Sequence, residues 1–331
     1  MTFTTQCYIL KNMNKSIPIL YVVVPCYNEE PVLEDTAKKL EEKMNALMAD
    51  KIIADNSRVM FVDDGSKDKT YEIITELHNQ NNLFSGVKLA HNRGHQNALM
   101  AGLTIANKTA DVTITIDADL QDDINAIDKM LEEYANGAEI VYGVRCARKK
   151  DTMFKRMTAH AFYKLMLKMG VEIIYDHADF RLMSKTALDA LFQYQESNMF
   201  LRGIVPQLGF KTAKVPYPRA ERQAGESKYP LPKMIAFALN GITSCSSKPL
   251  TMIFWLGFWM QLLGLAALAT TITLMYVLNL HFMWVLVSAM CWFTSLILLA
   301  LGIIGFYLGK TYIETKQRPR FIIEEVLNQQ N

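Results

Sequence analysis

From Pro249 to Gly309 the chain carries no Asp, Glu, Lys or Arg, and this run constrains the fold more than any other feature. A helix rises about 1.5 Å per residue, so about 20 apolar residues cross a bilayer core of about 30 Å. The run is long enough for two crossings. Asn279-Leu280-His281 is its natural break, which predicts a tight helical hairpin over Leu250–Leu278 and Phe282–Gly309. Lys228, Lys233 and Lys248 precede the hairpin, Lys310, Lys316, Arg318 and Arg320 follow it, and the turn has no Lys or Arg. The positive-inside rule then places both ends in the cytoplasm, as in a multi-pass protein of the inner (cytoplasmic) membrane. Trp255, Trp259, Tyr276, Trp284 and Tyr307 fall toward the span ends, where amphipathic rings prefer to sit. Gly257 and Gly264 would allow close helix packing, within the chain or in a homo-oligomer. Tyr229 to Ser247 mixes apolar residues with Lys233 and Asn240 and opens on Pro230 and Pro232. It reads as a helix lying on membrane lipids, or alternatively as a packed helix of the preceding domain.

Before this run the composition is that of a soluble domain. A formal net charge of +2 gives no basic face, so no nucleic-acid partner is expected. The five cysteines, Cys7, Cys26, Cys146, Cys245 and Cys291, form no Cys-X-X-Cys pair and read as free thiols of a reduced compartment. Met1 to Ser16 has no apolar run long enough for a signal peptide.

Apolar β-rich runs at Ile19–Pro25, Val59–Val62, Gly86–Leu89, Val112–Ile116 and Glu139–Val144 predict strands. Helical spacing at Glu30–Met48, Thr70–His78, Gln96–Ala106 and Ile124–Tyr134 predicts the helices between them. Such alternation means an α/β domain with a mostly parallel sheet and helices on both faces. Ligands of such sheets bind beyond the carboxyl ends of the strands. Pro25-Cys26-Tyr27-Asn28-Glu29, Asp63-Asp64-Gly65-Ser66 and Asp117-Ala118-Asp119 all fall there, so three polar clusters converge on one cleft.

Asp117 and Asp119 can both approach one site where a strand gives way to a loop. Two adjacent carboxylates repel, and hard oxygen ligands select Mg²⁺ or Mn²⁺, which bridge to substrate phosphates. Gln121 adds an amide oxygen, while Asp122 and Asp123 are expected to cap the next helix. There is no Gly-X-Gly-X-X-Gly and no Gly-Lys-Ser/Thr loop, which argues against dinucleotide oxidoreduction and P-loop hydrolysis. Arg93 and His95 either line the cleft or belong to a loop that caps the next helix. Basic residues recur at Arg145, Arg148, Lys149, Lys150, Lys155, Arg156, Arg202, Arg219, Arg222 and Lys228. In Arg222-Gln-Ala-Gly225-Glu-Ser227-Lys228-Tyr229 the Arg, Lys, hydroxyl and flexible Gly suit a phosphate.

Val-Pro25-Cys-Tyr27-Asn28-Glu29, Asp63-Asp64-Gly65-Ser66-X-Asp68-X-Thr70 and Asp117-Ala-Asp119-Leu-Gln121 together resemble the family 2 glycosyltransferases with a GT-A fold. Arg222-X-X-Gly225-X-Ser227-Lys228-Tyr229, two spans and the tail Tyr312-Ile-Glu-X-Lys316-X-Arg318-Pro319-Arg320 resemble more narrowly the polyprenyl-phosphate glycosyltransferases. That group includes dolichyl-phosphate mannose synthase and the bacterial bactoprenol glucosyltransferases, and the two-span form is closer to the latter. The resemblance covers about Ile19 to Ile322. It implies a nucleotide-sugar donor, UDP-glucose above others, and a polyprenyl phosphate acceptor. It assigns Pro25, Tyr27, Glu29, Asp64 and Asp117 to the nucleotide-sugar, and Asp117, Asp119 and Gln121 to the metal and donor diphosphate. Arg145, Arg156, Arg222, Ser227 and Lys228 fall to the acceptor phosphate. Asp119 would stabilise charge, and Asp179 stands where many relatives carry an acidic residue proposed as a base. His160 stands where some relatives carry a phosphate-contacting Ser.

The division expected is a leader (1–18), a GT-A catalytic domain (19–228), an interfacial segment (229–248), two transmembrane helices (249–309) and a cytoplasmic tail (310–331). A processive polymer synthase of this fold would carry Gln-X-X-Arg-Trp, which the chain lacks. A non-catalytic scaffold would not need the intact Asp117, Asp119 and Gln121 set. A transporter would usually place ionisable residues within its spans.

Overall fold

The computed structural model describes residues 17–119, 121–145, 169, 177–196, 200–218, 242, 246, 248–278 and 282–327. Residues 1–16 of the expected leader, Arg156, His160, Arg222, Ser227, Lys228, almost all of the interfacial segment and the Asn279–His281 turn lie outside the described residues.

The elements run β1 (Leu20–Cys26), α1 (Leu33–Ala49), β2 (Arg58–Asp63), α2 (Thr70–Gln80), β3 (Phe84–Leu89), α3 (His95–Ala106), β4 (Val112–Thr115), α4 (Ala126–Ala135) and β5 (Ile140–Arg145). There follow β6 (His177–Ser184), α5 (Lys185–Leu191), α6 (Leu201–Gln207), β7 (Thr212–Tyr217), α7 (Lys248–Leu278), α8 (Phe282–Thr315) and β8 (Ile323–Leu327). The predicted strands and helices of the first 145 residues are all present with small shifts of boundary.

The eight strands form one sheet in the order β7-β5-β6-β4-β1-β2-β3-β8. Its centre is parallel, with β1 between β2 and β4. The sheet as a whole is mixed rather than mostly parallel. β6 runs antiparallel to both β4 and β5, and β8 runs antiparallel to β3.

Every residue of β1 is buried, as a central strand covered on both faces must be. Leu20, Val22 and Val24 face one apolar layer with Leu33, Leu40, Met44, Ile74 and Ile127, from α1, α2 and α4. Tyr21 and Val23 face the other, with Leu99, Leu188 and Ile204, from α3, α5 and α6. Each fully buried side chain of this size contributes roughly 1.5–3 kcal/mol. A Cβ at Gly102 would lie 2.5 Å from Val23 Cγ1 and 2.6 Å from Val62 Cγ2. Only glycine lets α3 pack this closely on the sheet, and that approach sets where its first residue, His95, stands.

α7 and α8 expose Phe254, Trp255, Trp259, Leu263, Met290, Ile297 and Leu298. Gly264 of α7 meets the Phe293 ring of α8, and Tyr307 Oη donates to the Ser246 carbonyl at 2.7 Å. Among the described residues one segment, Trp292–Thr315, is long and apolar enough to cross a membrane by length and composition, and none of it is buried. α8 runs past the predicted end at Gly309 to Thr315. There Gln317 takes the left-handed conformation (φ 47°), which turns the chain back toward the sheet edge.

Candidate active site

The polar ends of β1 and β2 are stitched together. Asn28 N donates to Ser66 Oγ (3.0 Å), Lys67 N to Asn28 Oδ1 (2.9 Å) and Glu29 N to Thr70 Oγ1 (2.9 Å). Asn28 holds a positive φ of 54°, a conformation that a short polar side chain tolerates. The turn leaves Tyr27 exposed at the mouth, while Pro25 is buried within β1.

The β3 loop joins them through Asp64, whose two oxygens accept Arg93 N (2.7 Å) and Gly94 N (2.8 Å). Burial raises the Asp64 pKa in spite of these donors. Gly65 has φ +68°, and a Cβ there would come within 2.8–2.9 Å of the His91 and Asn92 backbone. The glycine of Asp-Asp-Gly-Ser is therefore required both by conformation and by the closeness of the next loop.

Asp64 thus fixes the loop from which α3 begins, with Gly94 as N-cap. No side chain caps this helix. His95 instead projects toward the end of β4, with Nε2 3.6 Å from Asp117 Oδ1 and 3.6 Å from Asp179 Oδ2. Burial works against the imidazolium, but Asp179 and Asp117 outweigh it and raise the His95 pKa. His95 is therefore a cleft residue, and Arg93 serves the loop through its backbone.

Asp179, buried on β6, is the centre of a cationic clamp. It accepts Arg181 Nη2 (2.9 Å) on one oxygen, Arg202 Nη2 (3.1 Å) on the other, and Arg202 Nε at 3.3 Å. Burial alone would raise its pKa; Arg202, His95 and Arg181 hold it well below the usual carboxylate range.

Asp117 and Asp119 both stand half-exposed after β4, and Asp119 Oδ1 accepts Gln121 N at 3.2 Å. The Asp117 pKa is raised by burial and, despite His95, by the neighbouring carboxylates Asp179, Asp122 and Asp119. Neighbouring carboxylates that raise the Asp117 pKa make a place that a divalent cation would relieve. Among the described residues no three His, Cys, Asp or Glu side chains converge as a metal cage. Two carboxylates and an amide fit a cation that takes its remaining ligands from phosphate and water.

Asp122 departs from the capping role expected of it. It is buried and accepts Tyr217 Oη (2.6 Å) and Arg145 Nη2 (3.1 Å), while Asn125 is the N-cap of α4. Asp123 stays near the helix start, accepting Asn125 N (3.0 Å). Arg145 is thereby held at the edge of the acidic cluster. The structure so brings together Pro25, Tyr27, Glu29, Asp64, Asp117, Asp119, Gln121, Asp179 and Arg145 at one end of the sheet, and adds His95, Arg181, Arg202 and Tyr217.

The family model of glycosyl transferase family 2 matches residues 21–192, the stretch that carries all of these site residues except Arg202 and Tyr217. The uncharacterized glycosyltransferase YkoT of Bacillus subtilis (strain 168) is 48% identical over 320 residues, covering 96% of this chain and 95% of its own. The prophage bactoprenol glucosyl transferase homolog of Escherichia coli (strain K12) is 35% identical over 311 residues, covering 92% and 98%. The bactoprenol glucosyl transferase of Shigella phage SfX is 34% identical over 309 residues, again covering 92% and 98%. With the strand-end carboxylates inside the matched family region, and relatives aligned along nearly the whole length, this chain belongs to glycosyl transferase family 2 and is a glycosyltransferase of the GT-A type.

Proposed function

We propose that the protein transfers the sugar of a nucleotide-sugar, UDP-glucose above others, to a polyprenyl phosphate at the cytoplasmic face of the membrane. The observation that carries this reading is the convergence of the three strand-end loops on the carboxylates of Asp117 and Asp119. The acceptor is argued from the relatives named bactoprenol glucosyl transferase, which align along almost the whole chain, long helices included. The two helices would cross the membrane as a hairpin. The return of the chain from α8 to β8 supports this, because it requires α8 to end on the side of the catalytic sheet.

The lipid phosphate oxygen attacks the anomeric carbon in line, the bond from that carbon to the nucleoside diphosphate breaks, and the configuration inverts. The acceptor's second pKa is about 6, so it is largely ionised at neutral pH and needs little help from a base. Pro25, near the end of β1, with Tyr27, Glu29 and Asp64 on the loops after β1 and β2, holds the nucleoside. Asp117, Asp119 and Gln121 would hold Mg²⁺ or Mn²⁺, whose charge would offset that of the leaving diphosphate. Asp179 orients Arg202 and His95 toward the donor rather than removing a proton, since its oxygens are already engaged by Arg181 and Arg202. Arg145, oriented by Asp122 and Tyr217, joins Arg156, Arg222, Ser227 and Lys228 at the acceptor phosphate.

Membranes carrying the protein, given polyprenyl phosphate, Mg²⁺ or Mn²⁺ and a panel of radiolabelled nucleotide-sugars, should label the lipid fraction from one donor. No lipid label from any donor, with folded protein present, would refute the acceptor and bring forward a different glycan or lipid acceptor.

A further inference from the structure

The tail Arg318-Pro319-Arg320 and the strand after it take no part in the chemistry above, yet they lie against its supports. Once α8 ends at Thr315, Arg320 Nη2 donates to the Tyr194 carbonyl at 2.5 Å, on the segment between α5 and α6. Phe321 and Ile323 pack on the apolar layer that includes Leu89, Leu99 and Ile204, from β3, α3 and α6. Ile322 O accepts Ala90 N at 3.0 Å, directly before the loop that Asp64 holds and from which His95 projects. Burial lowers the Arg320 pKa, and Glu314, in the last turn of α8, and Glu196 oppose that by favouring its charged form. The ion pair of Lys88 with Glu324 is exposed and the hydrogen bond of Tyr71 with Glu325 lies at the surface, so these contribute little.

We infer that residues 316–327 form a strap that positions the active site, with Arg320 as its fixed point. It braces at once the loop before His95 and the segment before Arg202, the two side chains that meet on Asp179 from different elements, and links both to the end of α8. The strap sets the spacing between the helix end and the strand-end cleft. Arg320 is thus a positioning residue. The inference rests on the transfer activity proposed above for its kinetic effect, but not for its structural one.

The test uses the full chain in membranes or detergent, as wild type, Arg320→Met, Arg320→Lys and Glu325→Pro. Methionine keeps the apolar stem without the donor, lysine restores a donor, and proline removes an N–H from the β3–β8 ladder, where Glu325 pairs with Lys88. Arg320→Met and Glu325→Pro should lower kcat about tenfold, with donor KM nearly unchanged, as expected when reacting groups are slightly misplaced by a distant change. Arg320→Lys should recover most of the rate. Amide hydrogen exchange, which needs no acceptor, should quicken at residues 91–95 and 200–204 in Arg320→Met and stay as in wild type along α1. Unchanged exchange at both segments overturns the inference, whether or not the wild type makes a lipid product. So does a wild-type kcat in folded Arg320→Met and Glu325→Pro, or failure of lysine to rescue.

Discussion

Replacing Asp179 by asparagine separates a clamp from a general base. Arg181 is almost fully buried, donates to Asp179 Oδ1, and its Nη1 has no hydrogen-bond partner among the described residues. Neutralising the carboxylate leaves that guanidinium without its counter-charge, and breaking a buried pair in this way costs roughly 3–5 kcal/mol. Asparagine keeps one acceptor oxygen, so the lower end, about 3 kcal/mol, is expected. At about 2–4 °C per kcal/mol for a domain of this size, thermal unfolding of Asp179→Asn should fall by roughly 6–12 °C. Because the folded-state pKa is depressed, this stabilisation is fully present above the unfolded value of about 3.9 and is lost as pH falls toward the folded one. The gap between wild type and variant should hold from neutral pH to about pH 5 and close in stronger acid. Assayed well below its melting temperature, the variant should keep transfer activity within about tenfold of wild type, whereas loss of a general base costs about 10²–10⁴-fold. A variant that melts like wild type but has lost more than about a hundredfold in kcat would refute the clamp and make Asp179 the base.

Gly65→Ala should cost about 1–3 kcal/mol, because alanine would hold a positive φ against the His91–Asn92 backbone. Urea unfolding gives the loss, and donor KM should rise with it as the β2 and β3 loops part. Tyr217→Phe removes the 2.6 Å hydrogen bond to Asp122 and should cost about 1–3 kcal/mol. If Arg145 serves the acceptor, acceptor KM rises in this variant while donor KM stays; the reverse pattern would remove Arg145 from that role.

The first half of the domain was legible because each strand is an apolar run that ends in a polar cluster. Asp63-Asp64-Gly65-Ser66 and Asp117-Ala118-Asp119 could therefore be placed at the open end of a sheet before any geometry was known. β6 was not legible for the opposite reason. His177-Ala-Asp-Phe-Arg-Leu-Met-Ser184 buries Asp179 and Arg181 in the sheet, so its charges hide the strand pattern. β8 was missed because Ile323-Glu-Glu-Val-Leu327 is short and finds its partner, β3, more than two hundred residues earlier. Arg202 stood as one of many basic residues, since nothing local says that a seven-residue helix aims it at Asp179. His95 carried a weak signal: its place directly after Arg93-Gly94 fitted a helix start, and only the close packing at Gly102 turns it into the cleft. Asp122 fitted a helix cap by spacing, but Arg145 and Tyr217 lie far along the chain and claim it once the sheet closes.

The central claim is that the strand-end carboxylates drive transfer from a nucleotide-sugar to a lipid phosphate. The direct measurement is the stoichiometry of nucleoside diphosphate released to lipid-linked sugar formed, with and without polyprenyl phosphate, for wild type, Asp119→Ala and wild type in EDTA. The account predicts one diphosphate per lipid-linked sugar in wild type, almost no release without the lipid, and neither product in the variant or in EDTA. Equal release with and without the lipid phosphate, or full lipid product from Asp119→Ala, would contradict it.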